Sequence, residues 1–188
     1  MKNFFRTARV FVFLCFITGL FYPFLITGIA QVLFKDKAKG SIIYREGKPV
    51  GSRLIAQPFV SPYFFWSRPS AVGYNTLLSG GSNLGLTNPE LYNKVKERVD
   101  FLKNNGINGA IPSHLVFASG SGLDPHLPPE AVLAQVERVS RELKIPKEEI
   151  LKLIEKHTEK RLFGFIGVPV VNVLELNLEL LELAKKHE

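Results

Sequence analysis

From Val10 to Phe34 the chain runs 25 residues without Asp, Glu, Lys, Arg or His, bounded by Arg9 and Lys35. A helix rises about 1.5 Å per residue, so this run would reach roughly 37 Å against a hydrocarbon core of about 30 Å. The pattern predicts one transmembrane helix over residues 10–34. A cleaved signal peptide is the alternative, with Lys2, Arg6 and Arg9 as its basic start and Gly28-Ile29-Ala30 as small residues for a peptidase. Signal cores are commonly only about 7–15 residues long, which favours the uncleaved anchor. Phe and Leu on every face speak against a buried soluble helix. Gly19, Pro23 and Thr27 recur every four residues and share one helical face, the expected docking face for a partner helix in lipid.

Beyond the span the pattern shortens. Ile42–Arg45 and Val50–Ile55 flank Glu46-Gly47-Lys48-Pro49 as two short strands around a turn. Residues 56–88 are dense in Pro, Gly, Ser and Asn but also hold Phe59, Tyr63, Phe64, Phe65, Trp66 and Tyr74. So many rings predict an ordered surface loop packed by its own aromatics, with a helical turn near Tyr63. Asn88-Pro89-Glu90 reads as a helix start with Asn88 as cap, and Val95, Val99 and Leu102 share its inner face until Gly106. A short strand is expected at Leu115–Ala118. Pro128-Pro129-Glu130 opens a second helix, with Val132, Val136, Val139 and Leu143 at spacings of four, three and four, ended by Pro146. Lys147–Lys156 forms a third helix buried through Ile150, Leu153 and Ile154. Val168–Val173 is β-branched but interrupted by Pro169, which predicts an edge strand. The Leu- and Glu-rich tail from Leu174 to Lys185 predicts a closing helix.

The net charge of +7 changes this picture little once it is located. Residues 1–34 hold three basic residues and no acids, and residues 35–48 hold five basic residues against Asp36 and Glu46. That leaves 16 basic and 15 acidic residues in 49–188. The excess is juxtamembrane, where it meets anionic headgroups, and no basic footprint for nucleic acid remains. Basic residues on both sides of the span lean only slightly to an inside amino terminus. Cys15 is the sole cysteine, so no intrachain disulfide can form. The organisation is a basic tip (1–9), a span (10–34), a basic juxtamembrane segment with the start of the hairpin (35–48) and one mixed α+β domain (49–188).

Motifs that carry chemistry are few. The one Gly-Lys pair, Gly47-Lys48, precedes Pro49 and lacks the upstream glycine of a phosphate loop. No GxSxG, HExxH or paired-cysteine pattern occurs. His114, His126, His157 and His187 lie far apart in sequence, and His157 is expected in a solvated or capping role. Ser79-Gly80-Gly81-Ser82-Asn83 offers successive amides and hydroxyls for an anion, and with Leu78 echoes the LSGG of transporter ATPases; a tight turn that needs glycine is the blander reading. Ser121, Asp124 and His126 share one loop, which suggests a membrane-anchored hydrolase. Residues two apart on an Asp-Pro-His turn rarely face one another, so Asp124 is expected to bond its own backbone instead. An anchored sensor or binding module, using the aromatic loop, is a third class. Val72-Gly73-Tyr74 matches part of a potassium filter, but one span cannot enclose a filter.

Taken together, Phe65-Trp66-Ser67-Arg68-Pro69-Ser70-Ala71, Tyr74-Asn75, Ser79–Gly85, Ser119–His126, Gln135–Val139 and Val171-Asn172-Val173-Leu174 with Leu176-Asn177 resemble, in order and over nearly the whole chain, the C subunit of the Kdp potassium-transporting ATPase of bacteria and archaea. Ala56 and Val170 depart from the family pattern, where Gly and Arg are expected. The resemblance implies an accessory, non-catalytic subunit of a high-affinity, ATP-driven potassium importer in the cell membrane. It implies a cytoplasmic amino terminus, an extracytoplasmic domain, and two partners: a channel-like potassium-binding subunit and a phosphorylated ATPase subunit. It also implies a catalytic-chaperone role that raises the ATPase subunit's nucleotide affinity, with ATP reached through that subunit, no cofactor of this chain's own, and Ser79, Gly80, Gly81, Ser82 and Asn83 as candidate nucleotide contacts. The chain lacks an Asp-Lys-Thr-Gly phosphorylation motif and a pore, so the residues themselves provide neither ATP hydrolysis nor conduction.

Overall fold

The computed structural model describes residues 1–187 and divides into two compact units, Met1–Val50 and a second beginning at Gly51. In the first unit α1 (Lys2–Phe16) and α2 (Tyr22–Leu33) are joined by a π-helical turn, Ile17–Phe21, into one helix of 32 residues. The turn has a clear cause in Pro23, whose nitrogen has no hydrogen to donate and whose ring crowds the carbonyl four residues back. Widening the helix lets the Tyr22 amide donate to Ile17 O, five residues earlier. The helix starts at Lys2 rather than Val10 because nothing between them breaks it; the charged first turns lengthen the rod beyond what the hydrocarbon core needs. No residue of α1 or α2 is buried, as suits a helix that awaits lipid.

After α3 (Lys35–Ala38) come β1 (Ile42–Arg45) and β2 (Lys48–Ser52), a hairpin turned by Glu46 and Gly47 at φ +49° and +76°. Positive φ at both central positions closes a hairpin in two residues, so β2 takes in Lys48 and Pro49, which the longer expected turn had excluded.

The second unit is α+β. Its helices are α4 (Pro89–Asn104), α5 (Pro129–Leu133), α6 (Val136–Leu143), α7 (Lys147–His157) and α8 (Val173–Ala184). The Asn88 side chain accepts the Glu90 amide at 2.8 Å, the expected cap of α4. Three short strands form one antiparallel sheet in the order β3 (His126–Leu127), β5 (Val170–Asn172), β4 (Thr158–Glu159). Leu127 pairs with Val171, which pairs on its other side with Thr158. The core lies between this sheet and α5 to α8, where Leu127, Val132, Val139, Ile150, Val171, Leu176 and Leu180 are fully enclosed.

Three expectations are corrected. The strand at 170–172 is central, not an edge, because Pro169 sits just before it and costs no ladder bond. The second helix is interrupted at Ala134–Gln135, although its buried face, Val132, Val136 and Val139, is as the spacing predicted. Residues 115–118 form no strand: Ser113–Leu115 is a 3₁₀ turn, and the carbonyls that a strand partner would take accept from arginines, Val116 O from Arg98 and Phe117 O and Ala118 O from Arg68.

Candidate functional site

The best-built polar constellation of the second unit surrounds the backbone of Phe65 and Trp66, which the chain crosses in irregular conformation at the bottom of the core. Buried peptide groups need partners, and here side-chain amides supply them. Asn177 on α8 accepts the Phe65 amide and donates to the Phe65 carbonyl, both at 2.8 Å. Gln135, in the break between α5 and α6, accepts the Trp66 amide at 2.8 Å and donates to the Trp66 carbonyl at 3.3 Å. Each amide imitates one rung of a sheet. The interruption of the second helix is what frees Gln135 to do so, its own N–H₂ also reaching Ala131 O at 3.1 Å.

Arg138 completes this clamp. It is 1% exposed, donates to Pro62 O, Phe64 O and Gln135 Oε1, and lies 3.6 Å from the Trp66 ring centroid. Among the described residues no carboxylate forms an ion pair with it, and burial holds the pKa of its guanidinium down to about 10. The charge is solvated by carbonyls and by the indole face instead. Phe65 and Trp66 are buried in the domain's own core and Phe64 is half-buried, so these rings serve chiefly in packing. A turn near Tyr63 is present, closed by Phe64 N to Ser61 O.

Downstream of the clamp, Arg68 fastens three pieces of chain. Besides the carbonyls of Phe117 and Ala118, it reaches Asp124 Oδ2 at 3.4 Å. Tyr74, in the filter-like tripeptide, donates its hydroxyl to Arg68 O at 2.9 Å; burial raises its pKa. The segment is a turn tied to the domain.

The two Gly/Ser loops lie against each other. Gly80 N and Ser79 Oγ both donate to Ser121 O, at 2.8 and 3.3 Å. A Cβ on Gly122 would stand 2.7 Å from Gly80 O, so the close approach requires glycine there, while one on Gly81 would make ordinary contact with Gly120 O at 3.4 Å. Among the five candidate nucleotide contacts, Ser79 and Gly80 thus already have partners within the domain. Gly81 and Ser82 line a cavity of about 410 Å³ with Lys94, Arg98 and Phe117, while a neighbouring apolar cavity of about 360 Å³, lined by Phe59, Trp66, Tyr74 and Phe101, shares Arg98. Burial lowers the Arg98 pKa.

Ser121, Asp124 and His126 line a common open cavity but do not form a relay. Asp124 Oδ1 accepts the His126 backbone amide at 3.0 Å, the expected turn on its own backbone. The imidazole Nδ1 stands 3.7 Å from the same oxygen. Ser121 Oγ accepts the Leu123 amide at 3.1 Å and lies 3.4 Å from Ser119 Oγ; among the described residues it makes no hydrogen bond to His126. Nucleophilic use of that hydroxyl would need a base within bonding reach. The Asp124 pKa is lowered, first by the His126 side chain beside it, and that of His126 is raised by the Asp124 carboxylate. His157, expected in a solvated or capping role, is instead partly buried and pairs with Glu179 on α8.

In the first unit Gly19, Pro23 and Thr27 are all exposed, and a Cβ at Gly19 or Gly28 would meet nothing within 4 Å.

Comparison with known proteins decides what this architecture belongs to. Residues 4–182 match the family described as "KdpC: K+-transporting ATPase, c chain". The chain belongs to that family. It is 48% identical over 186 residues to a potassium-transporting ATPase KdpC subunit of Caldanaerobacter subterraneus subsp. tengcongensis, covering 97% of this chain and 96% of the relative. A KdpC subunit of Geobacter sulfurreducens is 50% identical over 175 residues, 91% of each chain, and one of Koribacter versatilis is 48% identical over 181 residues, 95% and 94%. The segments that carried the family resemblance include, in the fold, the clamp residues Phe65, Trp66, Gln135, Arg138 and Asn177, together with Arg68, the paired Gly/Ser loops, and Asn172, whose side chain donates to Arg53 O and caps α8 by accepting the Glu175 amide. The sequence pointed to no role for Arg98, and to none for Arg138 beyond its part in a motif; three and four residues from Arg138 stand Ala134, Gln135, Arg141 and Glu142, so no local pattern marked it for burial.

Proposed function

We propose that this chain is the accessory, non-catalytic subunit of an ATP-driven potassium import complex, which it assembles and stabilises. The family match over residues 4–182 carries this reading. Its partners are the channel-like potassium-binding subunit and the ATP-hydrolysing subunit, met through the exposed Gly19–Pro23–Thr27 face of the span and through the domain. The chain lies in the bacterial or archaeal cell membrane with its amino terminus inside and its domain outside. On that topology ATP, which is cytoplasmic, does not reach Ser79–Asn83. The rise in nucleotide affinity expected of a catalytic chaperone then passes through subunit contacts, and a direct nucleotide role for Ser79, Gly80, Gly81, Ser82 and Asn83 holds only if the domain faces inward. Ser121 Oγ bonds the Leu123 amide and lies against Ser119 Oγ rather than meeting His126, which supports a non-catalytic reading.

The test is reconstitution of the complex with and without this chain. Omission should lower potassium-stimulated ATPase activity and raise the ATP concentration for half-maximal rate, and unchanged kinetics would refute the reading. Proteolysis of intact spheroplasts should cut residues 40–188 from outside; protection of that region would reverse the topology and reopen the nucleotide role.

A further inference from the structure

Between β4 and β5 the chain reads Lys160-Arg161-Leu162-Phe163-Gly164-Phe165-Ile166-Gly167-Val168. Its backbone is closed on itself: Leu162 N donates to Ile166 O at 2.9 Å, Ile166 N to Leu162 O at 3.0 Å, and Phe165 N to Leu162 O at 3.3 Å. Its side chains cover nothing, with Phe163 79% exposed, Phe165 73% and Val168 68%. The two phenylalanines alone present roughly 300 Å² of apolar surface, enough with their neighbours to mark an interaction site. Phe163 at φ +52° and Gly164 at +82° take the paired left-handed conformations of a type I′ turn, where Asn-Gly is the ordinary choice. A bulky residue there works against the fold, so folding does not account for Phe163.

We propose that this loop dips into the headgroup layer of the bilayer that holds the chain's own span. Three observations favour lipid over a protein partner. From Leu162 to Val171 no side chain can donate or accept a hydrogen bond. A specific protein interface carries about one hydrogen bond per 100–200 Å², whereas lipid requires none. Lys160 and Arg161 are exposed directly behind the tip, and no acidic residue occurs from 160 to 174, which suits apolar insertion beneath a layer of phosphates. The second unit begins at Gly51, and α2 ends at Leu33. A connection of that length spans at most roughly 60 Å even fully extended, so the loop meets the bilayer at high effective concentration and weak insertion suffices.

The test uses the full chain carrying Phe165→Trp in phosphatidylcholine–phosphatidylglycerol vesicles with brominated acyl chains; Trp66, buried in the core, supplies the background measured on the parent chain. The introduced indole should be quenched by bromolipid and shielded from aqueous iodide. Adding Phe163→Asn should lower the inserted-to-free ratio about tenfold and leave the unfolding midpoint unchanged or higher. Reversing both charges, with Lys160→Glu and Arg161→Glu, should weaken quenching when phosphatidylglycerol is present. An indole open to iodide and untouched by bromolipid overturns the proposal. So does an indole shielded from both reagents only in the assembled complex, which assigns the loop to a protein interface, and so does a lowered midpoint for Phe163→Asn, which assigns Phe163 to the fold.

Discussion

Asn177→Ala tests the clamp most directly. Asn177 is 1% exposed and makes both of its hydrogen bonds to one residue, the amide and carbonyl of Phe65 at 2.8 Å each. Alanine leaves both peptide groups without a partner in a place that water does not reach. Each orphaned group costs about 1–3 kcal/mol, so the pair costs roughly 2–6 kcal/mol before any term for the lost side-chain volume. That is a large share of a domain stability of about 5–15 kcal/mol. At roughly 4 °C per kcal/mol for a domain of this size, the unfolding midpoint should fall by roughly 8–24 °C. Trp66 is the only tryptophan and lies in the clamp, so its emission during heating of the detergent-solubilised chain reports the transition. Lys147→Ala, which removes an exposed ion pair with Glu137, is the control and should change stability by less than about 1 kcal/mol. Gln135→Ala added to Asn177→Ala should cost less than the two singles together, because both hold the same two residues. If Asn177→Ala lowers the midpoint no more than Lys147→Ala does, the clamp is not what holds the loop.

Gly122→Ala puts a methyl 2.7 Å from Gly80 O and 2.8 Å from Val72 Cγ2 at φ +68°, and should destabilise by about 1–3 kcal/mol in the same assay. The Asp124–His126 pair should make stability depend on pH: the lowered Asp124 pKa contributes above 3.8 and is lost as pH falls through its folded value, while the raised His126 pKa contributes below 6.5 and is lost as pH rises through its own. The pair therefore helps most between those two values, and His126→Gln should lower the midpoint across that window and flatten its decline above pH 6.5. Gly19→Leu leaves the isolated helix unhindered, since a Cβ there meets nothing within 4 Å, so loss of co-purification with the partner subunits would report on helix docking alone. Ser121→Ala should leave the complex's potassium-stimulated ATPase activity unchanged.

Where local rules govern, the sequence was readable. Asn88-Pro89-Glu90 announced the start of α4, the 4-3-4 spacing announced the buried face of α5 and α6, and Asp124 behaved as its turn chemistry required. The readings that failed depended on partners distant in sequence. Leu115–Ala118 has the composition of a strand, but its carbonyls go to Arg68 and Arg98, which no local pattern reveals. Pro169 marked the strand after it as an edge by a rule that applies within a strand, not one residue before. The clamp itself was illegible for the same reason: Gln135 and Asn177 look like ordinary polar helix residues until the fold brings Phe65 and Trp66 beneath them. Residues 161–167 drew no reading from the sequence, because a short apolar run after Lys160-Arg161 is equally a buried strand and only its exposure separates the two.

The clamp also sets an order of events during synthesis. Phe65 waits 112 residues for Asn177, and Trp66 waits 69 for Gln135. The anchor has therefore left the ribosome and can enter the membrane long before the domain's last buried peptide groups find partners. Contacts so distant in sequence close slowly. Until the carboxy-terminal helix is made, the chain behind the anchor stays short of its final fold, the condition in which a polypeptide can still be threaded through a translocation channel.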